Sequence, residues 1–382
     1  MANQYGPWAT LIDAGGNPQL SSFWRRRLTM LVPTSRTSPV LSRRNLLWLG
    51  TAGALASLTP TLRLASAMAD DDKVVKQGDK SVAGRIFLHA NLKTKSNPAN
   101  RKEDALGDVR GIIAVDPDTG RWEEVCPGDA VRVAHNGKSL AFTRFRPSKS
   151  HAAEFTEIET YDLTTHRTSP IGAKGDFFFW SPDDRQIVTV TGHFTEDSRS
   201  ENTTWLVQAD GSARKKLPVP ETDLVWDWSA DGKWFVAVTN RKPPFGRGYQ
   251  LYRMRPDGSE ELLLTKDGLN CYPRFSPDSQ KIVYLHQTAK DGNSLHVMDV
   301  DGSNDREILR EEGLESVEAG CFSPDGRHLV VLLFDWHLNE KGKKVGGSNE
   351  NRRLAIMDAD GTNRRPLPLK DAKILWLGHP DW

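Results

Sequence analysis

One short signature recurs five times along this chain and constrains its architecture more than any other feature. An aromatic or apolar residue is followed by Ser-Pro-Asp-Gly or a variant of it, then by an apolar run, and later by Asp-x-Asp-Gly or a variant. The opening residues are separated by 47, 48, 47 and 47 positions: Val133, Trp180, Trp228, Phe275 and Phe322. A period this regular indicates a protein built by repetition of one supersecondary unit.

Each copy predicts a four-stranded antiparallel unit. The apolar runs 282–285 and 329–334 are rich in β-branched and aromatic residues and follow turn residues, as buried strands do. In Ser-Pro-Asp-Gly, proline presets φ, aspartate can bond its own backbone and glycine accepts positive φ, so the segment joins two antiparallel strands. The Asp-x-Asp-Gly segments predict a second hairpin turn, since no copy meets the longer pattern of a calcium loop. Four short strands in roughly 40–50 residues make one propeller blade.

The two signatures resemble the WD-like repeats of the TolB family, in which Trp/Phe-Ser-Pro-Asp-Gly and Met-Asp-Ala-Asp-Gly-Ser/Thr-Asn recur once per blade. The best copies here are Phe322-Ser-Pro-Asp-Gly326 and Met357-Asp-Ala-Asp-Gly361. The resemblance covers about residues 85–382 and implies an all-β propeller. It identifies a fold more than an activity.

The two ends of the repeat region predict how the ring closes. Residues 374–382 resemble the strand that precedes Ser-Pro-Asp-Gly in other copies, whereas residues 84–89 resemble the second strand of a copy. We therefore expect the C-terminal strand to become the innermost strand of the first blade, which leaves no open edge. Trp382 is then a sixth opening residue, and the domain is a six-bladed propeller over residues 85–382.

Composition excludes several classes of protein. Lys and Arg number 51 against 50 Asp and Glu, so a near-neutral chain gives no indication of nucleic-acid binding. The cysteines Cys126, Cys271 and Cys321 form no Cys-x-x-Cys motif, and we expect small buried thiols, not a disulfide framework. The Gly-x-Ser-x-Gly pentapeptide of propeller peptidases that carry a hydrolase domain does not occur.

Residues 1–67 do not share the repeat and resemble a twin-arginine export signal. Arg43-Arg44 precedes an apolar stretch from Leu46 to Leu58, and Ala65-Ser66-Ala67 has the small-x-small pattern of a cleavage site. The stretch is short of the ~20 residues that span a membrane, so no stable span is expected after signal removal. These features predict export to the periplasm or beyond, with residues 68–84 as a linker.

Two alternatives to an export signal at this position are a short helix or a disordered tail, and translation could instead start at Met30. TolB proper has an additional α/β domain where this linker lies, which speaks against a Tol-Pal role.

The loops opposite the tight turns vary most in length and composition, so we expect the ligand to bind on that long-loop face. One polar residue per blade lies where the second strand enters it: His89, Arg144, His193, Arg241, His286 and His337. Histidines from several blades could hold a metal and arginines a carboxylate or phosphate. Because the histidines lack a fixed ligand spacing, solvated loop residues are the favoured interpretation, and neither metal nor cofactor is expected.

A second set of candidates precedes the opening residues: Arg132, Phe179, Asp227, Arg274, Cys321 and Asp381. Opposite charges fall on adjacent blades, which predicts that Asp227 pairs with Arg274 and Asp381 with Arg132 across two blade interfaces, in a structural role.

These observations predict an exported binding or scaffolding propeller for a protein, peptide or glycan ligand. A binding module is favoured over an enzyme. The alternative is a metal-dependent carbohydrate lyase or hydrolase with its site at the mouth of the channel.

Overall fold

The computed structural model describes most of the repeat region, with gaps in several loops. The described part contains no residue of the predicted leader, and Gly84 is the only residue of the predicted linker that it contains. Within that part every regular element is a β-strand, and no helix occurs that could span a membrane. The described residues are 84–93, 108–144, 157–175, 177–194, 200–239, 249–288, 292–313, 315–338, 340, 342, 344–347, 351–369 and 374–382.

The strands form six antiparallel sheets, one per blade, which confirms the predicted six-bladed propeller. From the channel outwards, blade 1 consists of β25 (Ile374–Leu377), β1 (Ile86–Lys93), β2 (Asp108–Val115) and β3 (Trp122–Pro127). Blade 2 consists of β4 (Asp129–Val133), β5 (Ser139–Thr143), β6 (Glu157–Asp162) and β7 (Arg167–Lys174). Blade 3 consists of β8 (Phe177–Trp180), β9 (Gln186–Phe194), β10 (Ser200–Gln208) and β11 (Arg214–Lys216).

The remaining three blades follow the same order. Blade 4 consists of β12 (Asp223–Trp228), β13 (Phe235–Thr239), β14 (Gln250–Met254) and β15 (Leu262–Leu263). Blade 5 consists of β16 (Leu269–Phe275), β17 (Lys281–Thr288), β18 (Gly292–Asp299) and β19 (Arg306–Arg310). Blade 6 consists of β20 (Glu315–Phe322), β21 (His328–Leu338), β23 (Arg353–Asp358) and β24 (Arg365–Leu367). In blade 6, β22 (Lys344–Gly347) pairs with the end of β21.

The C-terminal strand closes the ring as predicted. β25 pairs antiparallel with β1, with Leu377 opposite Ala90. The pairing resumes further along, where Phe87 and Asp381 exchange two backbone hydrogen bonds of 2.7 and 2.8 Å. Leu377 packs in one apolar cluster with Leu88 of blade 1 and Leu332 of blade 6, so closure also buries side chains between blades.

The Ser-Pro-Asp-Gly turns owe their shape to a repeated side-chain network. In blade 6 the Ser323 hydroxyl donates a 2.6 Å hydrogen bond to the Asp325 carboxylate and accepts one of 3.0 Å from the backbone N–H of His328. The same pair of bonds occurs in blades 3, 4 and 5. The fourth turn residue has φ near 69° at Gly326, and Asp184 takes the same left-handed conformation in blade 3. These turns place the ends of the inner strands of blades 3 to 6 on one face of the disc.

The core lies between neighbouring blades, because both faces of each central strand are covered. Phe142, Phe235 and Tyr284 are among the largest fully buried side chains, one each from blades 2, 4 and 5. Cys126, Cys271 and Cys321 are buried free thiols, as expected from the sequence.

Five inner strands carry a bulge. The register shifts between Asp129 and Val131 in β4, and shifts also occur in β12, β16, β20 and β25. At two of these bulges a residue other than glycine takes positive φ, 39° at Ala130 and 55° at Tyr272. Bulges redirect side chains, so period-two alternation does not predict which inner-strand residues face the channel.

Candidate functional site

A cavity of about 930 Å³ opens at the tight-turn end of the central channel. Its wall contains the opening residue of every blade together with the residue before it, and we call this cavity the funnel. The funnel residues from these two positions are Arg132, Val133, Phe179, Trp180, Asp227, Trp228, Arg274, Phe275, Cys321, Phe322, Asp381 and Trp382. A concave site of this size is where a propeller can hold a ligand.

Four charged side chains form the floor of the funnel. Arg274 Nε lies 3.3 Å from Asp227 Oδ2, and Arg274 Nη1 lies 2.5 Å from Asp381 Oδ1. Arg132 Nη1 lies 3.9 Å from the same Asp381 oxygen. The structure therefore brings together all four residues of the two predicted pairs, and Arg274 contacts both carboxylates.

Backbone groups complete the partners of the two aspartates. Asp227 accepts a 2.9 Å hydrogen bond from the N–H of Phe275, and Asp381 accepts one of 2.6 Å from the N–H of Val133. In each case the carboxylate bonds the opening residue of the next blade. The two aspartates thus hold blade 4 to blade 5 and blade 1 to blade 2, while facing the funnel.

The two arginines experience different electrostatic environments. Burial opposes the charge of Arg274, but Asp381 and Asp227 outweigh it and raise the pKa of this guanidinium above its usual range. Burial lowers the pKa of Arg132, and the neighbouring positive charge of Arg274 lowers it further. Burial also raises the pKa of the Cys321 thiol to about 12, so this residue is a neutral thiol in the funnel wall.

A second polar cluster lies towards the opposite end of the inner strands. Arg352 Nη2 lies 2.7 Å from Glu318 Oε2, and His379 Nε2 lies 3.1 Å from Glu318 Oε1. Burial alone would raise the pKa of Glu318, but the Arg352 charge and the hydrogen bond from His379 outweigh it and lower this pKa to about 2. Arg352 also donates a 3.0 Å hydrogen bond to the carbonyl of Leu377. This cluster therefore joins the closing strand to blade 6.

Aromatic rings extend from this cluster around the inner strands. The ring centroids of Tyr272 and His379 are 4.5 Å apart, those of Trp226 and Tyr272 are 5.2 Å apart, and those of Phe177 and Trp226 are 4.8 Å apart. Trp226 and Tyr272 are buried. The chain of rings crosses blades 3, 4 and 5 and ends on the closing strand, so it stabilises that end of the ring of blades.

Of the residues predicted on the long-loop face, His89 packs against the closing strand. Its Nε2 lies 3.1 Å from Asp129 Oδ1, and the backbone N–H of Gly378 donates a 2.8 Å hydrogen bond to its carbonyl. A Cβ at Gly378 would overlap the His89 imidazole. Burial lowers the pKa of His89 to about 4, against the opposing effect of Asp129.

Arg144 and His286, the two other predicted residues whose side chains the structure describes, are not brought together with His89. Arg144 makes a bidentate pair with Glu159 of its own blade, at 2.7 and 2.8 Å. His286 Nδ1 lies 2.8 Å from Asn270 Oδ1, and the His286 ring is 4.9 Å from that of His296. The side chains of His193 and His337 and all of Arg241 lie outside the described part. Within the part that is described, no three His, Cys, Asp or Glu side chains are grouped to bind a metal.

Sequence reasoning missed Glu318, Arg352 and His379. For two of them the available signal was position, since Glu318 and His379 lie four and three residues before an opening residue. Asp129 lies four residues before Val133 and belongs to the same class. The prediction of ligand-binding residues used second strands, and on the inner strands it considered only the position immediately before each opening residue.

No protein family model matches the chain. Among solved structures, TolB from Acinetobacter baumannii is 20% identical with a TM-score of 0.56, over 79% of this chain and 67% of that one. The chain has a TolB-type propeller fold. A TolB candidate from Agrobacterium tumefaciens is 18% identical with a TM-score of 0.50, over 75% of this chain and 90% of that one. At these identities the TolB-type likeness concerns the fold alone.

Proposed function

We propose that this protein is an exported binding module whose funnel holds a segment of a protein or peptide. The observation that carries the proposal is the funnel itself, where one cavity collects two positions from each of the six blades. Its wall combines aromatic residues with arginines, residue types that are enriched in protein–protein interfaces. Export rests on Arg43-Arg44 and the Ala65-Ser66-Ala67 pattern, which the sequence alone supports.

This proposal differs from the sequence prediction in the face it uses. The sequence favoured the long-loop face, of which large parts lie outside the described residues, and that prediction stays open. The funnel opens on the tight-turn face, where Ser276, Pro277 and Pro324 contribute to the rim. The enzyme alternative also stays a prediction, and metal analysis of the purified protein tests it, because a stoichiometric transition metal would favour it.

Selection from a random peptide display library against the purified propeller tests the proposal. We expect enriched peptides whose binding is lost in Ala230→Trp, since Ala230 lines the funnel and an added indole would fill it. Lys233→Trp is the matched control, because Lys233 lies in the same turn but is exposed and not part of the funnel wall. Peptides that bind wild type and both variants equally would place the binding site elsewhere. Failure to enrich any peptide would contradict the proposed function.

A further inference from the structure

We propose that Arg132 is the anchor of the funnel and binds a carboxylate of the peptide, a proposal that rests on the proposed function. The first observation is the distribution of contacts among the four charged residues. Both aspartates have Arg274 and a backbone N–H as close partners. Arg132 has one charged contact, at 3.9 Å, and its guanidinium donates no hydrogen bond to any residue that the structure describes.

The second observation is the burial of this guanidinium. The Arg132 side chain is only 16% exposed, and the surface it retains belongs to the funnel. An arginine carries five N–H donors, and leaving them without acceptors in a partly desolvated site is unfavourable. Arg274 has the same position in its own blade and the same low exposure, yet two carboxylates contact it. The comparison identifies Arg132 as the arginine with donors left for a ligand.

The third observation concerns the groups around Arg132. The Trp180 indole donates a 3.1 Å hydrogen bond to the Arg132 carbonyl, which holds this part of β4 against blade 3. Phe179 and Val133 contribute apolar surface to the same funnel wall. Apolar surroundings strengthen the attraction between a guanidinium and a carboxylate, and the planar fork of arginine fits a carboxylate through two parallel hydrogen bonds.

The charge of the rim does not compete with this role. His135 lies at the rim, where Asp184 of the next blade accepts a 2.7 Å hydrogen bond from its backbone N–H and approaches its Nδ1 at 3.1 Å. Glu123 is held at 2.7 Å by Arg85. His135 and the Arg85–Glu123 pair are thus neutralised locally, so these rim residues do not compete with Arg132 for a ligand carboxylate.

The experiment uses a peptide enriched on the wild-type protein and its binding to wild type and to Arg132→Gln, Arg132→Lys and Arg255→Gln. We expect Arg132→Gln to weaken binding about 10- to 100-fold, the usual effect of losing a hydrogen bond to a charged group. Arg132→Lys should lie between, because it keeps the charge and loses the fork. Arg255, which pairs with Glu260 outside the funnel, is the control and should leave affinity unchanged.

Two changes in the peptide test the same contact without altering the protein. Replacing each Asp or Glu by its amide identifies a side-chain carboxylate, and amidation of the C-terminus identifies a terminal one. One of these changes should match the loss seen with Arg132→Gln, and the two losses should not add. Peptides that bind in an Ala230→Trp-sensitive manner but tolerate all these changes would overturn the Arg132 proposal and leave the proposed function standing. If Arg132→Gln does not fold, the peptide changes decide the question.

Discussion

Arg274 and Asp381 form a 2.5 Å ion pair although they belong to blades 5 and 1, which are not neighbours. Their side chains meet because all inner strands converge on one channel, where residues of different blades come within contact. The spacing of one blade predicted Arg132 as the partner of Asp381, and that distance is 3.9 Å. The relationship turns two separate pairs into one network centred on Arg274.

Double-mutant cycles should show that Asp381 interacts more strongly with Arg274 than with Arg132. We expect a coupling free energy of about 2–3 kcal/mol for Arg274→Ala with Asp381→Ala, because these groups are buried and in contact. The cycle of Arg132→Ala with Asp381→Ala should give less than ~1 kcal/mol, and the exposed Lys281–Asp299 pair is a surface control. Urea unfolding measures all three. Equal coupling in the two Asp381 cycles would contradict the assignment.

Closure of the ring predicts a large difference between two leucine substitutions. Leu377 is 3% exposed and lies in the closing strand, whereas Leu338 is 53% exposed at the end of β21. Leu377→Ala should lower the free energy of unfolding by about 2–5 kcal/mol through lost burial and a cavity. Leu338→Ala should change it by less than ~0.5 kcal/mol. Comparable melting temperatures for the two variants would show that the closing strand contributes little to the stability of the propeller.

The Glu318–Arg352–His379 cluster predicts a loss of stability in acid. The pKa of Glu318 falls from 4.5 to about 2 on folding, so the unfolded chain binds more protons between these values. Its stabilising contribution is complete above pH 4.5 and is lost as the pH falls towards 2. We expect wild type to lose about 2–4 kcal/mol more over this range than Glu318→Gln, since the other carboxylates with lowered pKa values titrate in both proteins. The exposed Glu123 provides the control substitution Glu123→Gln, which should keep the wild-type pH dependence.

Export through a twin-arginine signal can be tested on the whole chain. We expect the mature protein to begin at Met68, after cleavage behind Ala65-Ser66-Ala67. Replacing Arg43 and Arg44 together by lysine should retain the uncleaved precursor inside the cell. N-terminal sequencing of the fractionated protein measures both. A cytoplasmic product that still begins at Met1 or Met30 would end the signal-peptide hypothesis.

The period of the opening residues predicted five blades, and the resemblance of the two ends of the repeat region to different strands of one copy predicted the sixth blade and the closing strand. Both follow from local rules, since the Ser-Pro-Asp-Gly turn and the apolar runs between turns specify strand order without reference to the rest of the ring. The approach of Asp227 to Arg274, at 3.3 Å, also follows from that period, because equivalent positions in adjacent blades are neighbours.

The channel itself could not be derived in this way. Whether Asp381 contacts Arg132 or Arg274 depends on distances across a shared centre, which no one-blade spacing encodes. Tyr272 reaches His379 from a bulge with positive φ, and no glycine marks that bulge in the sequence. Arg144 and His286 were chosen for their position along the second strand, yet acceptors within their own blades, Glu159 and Asn270, contact them.

The pairing of β25 with β1 also sets an order of events in time. Blades 2 to 6 can each form from one continuous stretch as the chain is synthesised. In contrast, β1 pairs with β25, which is synthesised after all of them. The blade that comes first in the sequence is therefore the last to be completed. Until then its inner edge is open to pairing with other chains. A chain still in synthesis thus differs from a finished one by the open inner edge of a single strand, β1.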